Sequence, residues 1–192
     1  MNEPHLASAE FGGFWIRALG VLADSAIVFL VITLLIAAVA RYFGEAAMPA
    51  AVLAACLFAF LYWPALHASP LQATLGKAML RLRVTGYQGE RISFLRAVGR
   101  ELAKLLSAGV ALIGYFMASF TARNQALHDL FASTYVVRGG RARLVPAVMT
   151  GVAGFVLPLL MVPLVVDAAA LGSLKAVLEG ALSAAQSYAG RP

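Results

Sequence analysis

The run from about Ala18 to Ala40 constrains this chain more than any other stretch, because it is span-length and apolar yet carries an acid, Asp24. About 20 apolar residues cross the hydrocarbon core as a helix. An ionised carboxylate near the middle of such a helix costs at least about 2.5–3.5 kcal/mol, so it faces protein or water rather than lipid. Arg17 stands at the mouth of the run, just after Phe14 and Trp15. Seven residues at about 100° each return to nearly the same helical face, roughly 10 Å further along the axis. Asp24 is therefore the first functional candidate, as an ion or proton site with Arg17 as its electrostatic neighbour. The alternatives are a buried carboxylate that only fixes helix packing and, for Arg17, an ordinary snorkelling interfacial side chain.

The rest of the composition agrees with a bilayer setting. Of 192 residues, 61% are hydrophobic and 12% charged, with mean hydropathy +0.84, and the apolar residues come in blocks. This excludes an ordinary soluble domain. The net charge of +6 would suit nucleic acid, but eleven of the fifteen basic residues fall in segments 77–104 and 123–143, beside apolar runs. Such segments read as topology determinants and contacts to anionic lipid at the cytoplasmic face. No recognition-helix, zinc-finger or RNA-binding signature accompanies them, so no nucleic-acid partner is expected. The lone Cys56 lies in an apolar run, which excludes a disulfide framework and predicts a small buried residue.

Along the chain, the first span is expected at about 18–40. Ala38-Val39-Ala40 resembles a cleavage site, but the run is too long for a signal peptide's apolar region and its flank is not clearly basic. A second span is expected at about 47–66, antiparallel to the first across a short loop. That pairing puts Phe14, Trp15, Tyr62 and Trp63 at one interface as an aromatic belt. Leu80, Leu82 and Val84 alternate with Arg81 and Arg83, predicting a half-buried strand, with a turn at Gly86–Gly89 and a returning strand at Arg91–Phe94. A basic amphipathic helix follows. Phe94, Leu95, Val98, Leu102 and Leu105 share one side, and Arg96, Arg100 and Lys104 form a lipid-facing basic stripe on the other. Leu105–Phe120 is short for a span and interrupted by Gly109 and Gly114, so it is re-entrant or spanning. The re-entrant form keeps both basic segments in the cytoplasm and lets Ser133–Val137 pair with the strand near Leu82. A last span at about 144–166, kinked by Pro158 and Pro163, precedes a weakly amphipathic tail.

The fold class expected is thus an all-α membrane protein: a polytopic helical bundle of three full spans plus the short third apolar segment, with small cytoplasmic β-like segments. Enzyme chemistry has no visible centre. Leu75-Gly76-Lys77 lacks the upstream Gly and the following Ser or Thr of a phosphate-binding loop. The scattered His5, His67 and His128 give no metal-ligand spacing. No Ser has the flanking glycines of a nucleophile elbow. No cofactor or metal is expected. His128-Asp129 has two readings: a capping or salt-bridging pair, with Arg123 as partner, or a proton relay leading from Asp24.

Phe14-Trp15-x-Arg17 with Asp24 seven residues on, Leu75–Val84, and Gln125–Val137 together resemble the three blocks of the RDD family of bacterial membrane proteins. Arg17, Asp24 and Asp129 match the arginine and two aspartates that name the family. The resemblance covers about 11–138, which divides the chain into an RDD-like membrane domain at 1–138 and an extra C-terminal transmembrane helix with its tail at 139–192. Some members are similar to proteins described as cation/proton antiporters. The resemblance therefore implies a multi-pass inner-membrane protein exchanging a monovalent cation for protons. The ion- or proton-binding candidates are Asp24, Asp129, Arg17 and His128: Asp24 would take the proton or cation, Arg17 would lower its proton affinity, and Asp129 would connect the site to the cytoplasmic surface. The alternative is a non-enzymatic scaffold or accessory subunit of a membrane complex. Expected partners are anionic lipid and either further copies of the chain or another membrane protein.

Overall fold

A computed structural model describes residues 10–109 and 113–189. After a two-residue strand β1 (Glu10–Phe11), α1 (Phe14–Tyr42) runs for 29 residues. Gly44, at φ +72°, reverses the chain into a 3-10 turn at Glu45–Ala47 and the 20-residue α2 (Met48–His67). Both helices are long and apolar enough to cross a membrane, with mean hydropathies of 2.6 and 1.9. They are antiparallel, since Tyr62 near the end of α2 meets Asp24 in the first half of α1.

The segment after α2 makes a short helix α3 (Leu75–Met79) and strand β2 (Leu82–Gly86). The expected turn follows, closed by Gly89 at φ +83°. Residues 91–93 then differ from expectation, because they form no strand and lead straight into helix α4 (Phe94–Gly109). Ile92 is spent on the core, and the outer edge of β2 is partly taken by the loop before α3, where the Val84 N–H donates to the Gln72 carbonyl at 2.7 Å. The partner of β2 comes from far along the chain. After α5 (Ile113–Phe116), a 3-10 turn at Met117–Ser119 and α6 (Leu127–Phe131), strand β3 (Thr134–Arg138) pairs antiparallel with β2, Val84 opposite Val136. β1 adds to the other edge of β3, giving the order β1-β3-β2. Leu82, Val84 and Val136 pack with Leu80, Ile92 and Ala147 into one small core beneath the helices.

The apolar stretch 105–120 is not one helix: it is shared between the end of α4, α5 and the 3-10 turn. Residues 110–112, on which the re-entrant reading turns, lie outside the described residues. Tyr115 Oη donates to the Lys104 carbonyl at 3.5 Å, which sets α5 against α4. Cys56, expected inside, is exposed, because Ala51, Ala55 and Tyr62 form the buried face of α2.

The chain ends in α7 (Leu144–Ala189), a 46-residue helix that continues through Pro158 and Pro163. Its described apolar part, Leu144–Leu160, is shorter than the two span-length helices. That part packs on α1, with Phe155 and Phe29 ring centroids 5.9 Å apart. A Cβ built on Gly154 would fall 2.6 Å from the Ala26 Cβ, so the two backbones approach as closely as glycine allows. Gly154→Leu should force them apart and lower stability by about 1–3 kcal/mol. Thermal unfolding in detergent, with the exposed Val152→Leu as control, measures this directly.

Candidate functional site

The buried face of α1 places Arg17, Gly20 and Asp24 inside the protein. Asp24 is 0% exposed, yet all its needs are met by protein donors. Tyr62 Oη donates to Oδ1 at 2.9 Å, the Gly76 N–H to the same oxygen at 2.7 Å, and Thr74 Oγ1 to Oδ2. Thr74 is the N-cap of α3, where a hydroxyl ordinarily serves its own helix; here it serves Asp24 instead. Gly76 is needed for the approach. A Cβ there would stand 2.5 Å from the Gly20 carbonyl oxygen and 2.9 Å from the Asp24 nitrogen. Two hydroxyls and an amide hold this carboxylate in a dry site, and among the described residues no cation is hydrogen-bonded to it, although Lys77 lies near enough to act on it electrostatically.

Asp129, also 0% exposed, sits in the first turn of α6 and gathers the opposite kind of partner. Arg100 reaches Oδ1 through Nε at 3.0 Å and NH2 at 2.6 Å. Arg17 binds Oδ2 through NH2 and the Asn124 carbonyl through NH1 at 2.6 Å. The Ala126 N–H donates to Oδ2 at 3.1 Å, capping the helix. Burial alone would raise this carboxyl, but Arg100 and then Arg17 hold it well below the usual carboxylate range. Its neighbour His128 is pushed by burial down to about 2, against the pull of Asp129. The two arginines thus favour the ionised form of Asp129, and burial favours the neutral ring of His128.

A third polar line runs from α3 through the end of α2 to α4. Lys77 Nζ lies 2.8 Å from His67 Nε2, and His67 Nδ1 lies 3.4 Å from Glu101 Oε1. Glu101 Oε2 accepts from Lys104, whose ammonium also stands 5.9 Å from the Trp63 ring centroid. Burial, with Lys104 and Arg100 close by, pushes Lys77 well below the ordinary lysine range.

The geometry revises several expectations. Arg17 pairs with Asp129 rather than with Asp24, which is held instead by donors from α2, α3 and the N-cap of α3. Asp129 takes Arg17 and Arg100, while Arg123 bonds the Tyr135 hydroxyl and stacks near its ring. Arg100, expected toward lipid, is 1% exposed. Lys104 also turns inward to Glu101, and Arg96 reaches Glu90 and the Ala132 and Ser133 carbonyls. The four-residue spacing of these cations is real, but α2, α6 and the residues just after α6 cover that side of α4. Tyr62 leaves the expected aromatic belt for Asp24. Tyr62, Thr74, Gly76, Lys77, His67 and Glu101 were not foreseen as site residues. Glu101 carried the one readable signal, an acid three residues before Lys104 on an otherwise basic helix.

Asp129→Asn should cost about 3–5 kcal/mol, since it leaves two buried guanidiniums without a counter-charge. Glu90→Gln, which breaks the exposed pair with Arg96, should cost less than about 1 kcal/mol. Equilibrium unfolding in detergent at pH 7 compares them. His128 has a folded pKa below its unfolded value, so its contribution to stability is intact above pH of about 6.5 and is lost as pH falls. Between pH 6 and 4 it should add one proton's slope, about 1.4 kcal/mol per pH unit, which His128→Gln removes.

Comparison with known proteins adds a family to this geometry. The model of the RDD family matches residues 11–133, a stretch that holds Arg17, Asp24 and Asp129. A protein of Bacillus subtilis (strain 168), described as the uncharacterized protein YxaI, is 35% identical over 146 residues. That alignment covers 65% of this chain and 95% of YxaI. No solved structure matches. With its two span-length apolar helices and its arginine and two aspartates drawn into buried polar clusters, the chain belongs to the RDD family.

Proposed function

We propose that the protein is a non-enzymatic scaffold or accessory subunit in the bacterial inner membrane, a multi-pass chain whose three signature charges lock its parts together. One observation carries this reading: each of the four oxygens of Asp24 and Asp129 already accepts a hydrogen bond from the protein. A carboxylate that takes up and releases ions must expose a lone pair at some stage; Asp129 already accepts four hydrogen bonds and Asp24 three, most of them from donors in distant segments. In this reading α7 serves as a third span and continues past the bilayer. At 46 residues it is roughly 70 Å long, more than twice the hydrocarbon thickness, which leaves an arm for a second copy or another membrane protein.

Exchange of a monovalent cation for protons is the second reading, and a separate observation favours it. The hydroxyls of Tyr62 and Thr74 can turn their oxygens toward a cation at Asp24, and the line Lys77–His67–Glu101–Lys104 starts one residue beyond Gly76. Proteoliposomes separate the two. The scaffold reading expects no sodium- or potassium-driven pH change with the wild type, and a lowered Tm for Asp24→Asn. A cation-driven pH signal that is lost in folded Asp24→Asn would overturn it in favour of exchange.

A further inference from the structure

The buried cations do more than neutralise Asp129. Beside α1 lies a cavity of about 540 Å³, within the range of sites that enclose small ligands. One part of its wall is basic, formed by Arg17, Lys77, Arg100 and Lys104, and no carboxylate lines it among the described residues. Arg100 spends Nε and NH2 on Asp129, but its buried NH1 has no hydrogen-bond partner. A buried donor left unmet is costly, and Lys77 likewise has N–H groups to spare beyond its contact with His67. The other part of the wall is apolar. Ala18, Val21 and Leu22 follow one stripe of α1 from the basic end toward its span, with Val21 41% and Leu22 49% exposed. Phe14 and Phe116, stacked with ring centroids 4.8 Å apart, complete it.

We propose that this cavity binds one anionic phospholipid, its phosphate accepting from Arg100 and Lys77 and the upper part of an acyl chain lying along Val21 and Leu22. The phosphate supplies the acceptor that Arg100 NH1 lacks and a second acceptor for the Lys77 amine beyond His67. The apolar stripe suits an anion that carries a chain over a free inorganic one. This proposal is independent of whether the protein exchanges ions.

The test uses the full chain purified in an uncharged detergent, with binding followed by native mass spectrometry and thermal unfolding. Phosphatidylglycerol should remain as one tightly held copy and raise Tm by several degrees more than phosphatidylcholine, while inorganic phosphate alone leaves Tm unchanged. Val21→Trp fills the apolar part without touching either ion cluster, and Lys77→Met removes the amine. Each should weaken phosphatidylglycerol binding about tenfold or more. Equal retention of phosphatidylglycerol by wild type and folded Val21→Trp would reduce the effect to lipid around the helices and overturn the proposal. A shift reproduced by phosphate alone, or equally by phosphatidylcholine, would overturn it too. Should Lys77→Met fail to fold, Val21→Trp decides.

Discussion

Asp129 ties together parts of the chain that lie far apart in sequence. Its two oxygens hold Arg17 of α1, 112 residues away, and Arg100 of α4, 29 residues away, while its own backbone starts α6. Two guanidiniums gathered around one carboxylate are favourable only in that company; without it they would be buried charges facing each other in a poorly polarisable interior. The rest hangs from this point. β3 begins soon after α6, so fixing Asp129 fixes where β3 presents its two edges to β1 and β2. Arg96, bonded to the carbonyls between α6 and β3, fastens the same joint from α4.

Around the long helices the buried side chains are mostly small or polar, and many of the large apolar ones are exposed. Asp24, His67, Lys77, Arg100 and Asp129 are buried, whereas large side chains such as Phe29, Leu34, Leu53 and Leu57 are exposed. That inversion is what a hydrocarbon solvent selects, because lipid welcomes apolar side chains and offers no hydrogen bonds to charges. Two devices keep the charges inside. At Asp24 hydroxyls and a backbone amide surround the carboxylate, and at Asp129 full charges do. Both rest on α1, so its buried stripe of Arg17, Gly20 and Asp24 organises both clusters.

Much of this was legible residue by residue. The alternation of Leu82, Arg83 and Val84 gave β2, and the Gly86–Gly89 turn followed from its glycines. The length and hydropathy of the first two runs gave α1 and α2, and the short link between them gave their antiparallel pairing. The buried state of Asp24 followed from its place in an apolar helix. What could not be read was which partner each charge would find. Arg17 and Asp24 share a helical face, and local spacing therefore suggested a pair; the true partners came from α2, α3, α4 and α6. The basic side of α4 looked solvated or lipid-facing because periodicity reports a face, not what covers it.

The sequence by itself determined that this chain meets a bilayer, where its first two helices lie, and that an acid within the first must be shielded. Those follow from local quantities: the length of an apolar run, the helical period, and the energy of a charge in hydrocarbon. Only the tertiary structure decided that Asp24 is held by neutral donors, that Asp129 is clamped between two arginines, and that these arginines line a cavity with Lys77 and Lys104. The reason is physical. Hydrogen bonds and ion pairs act over a few ångströms, and the groups that make them here are brought within reach only when segments 29 to 112 residues apart are packed together.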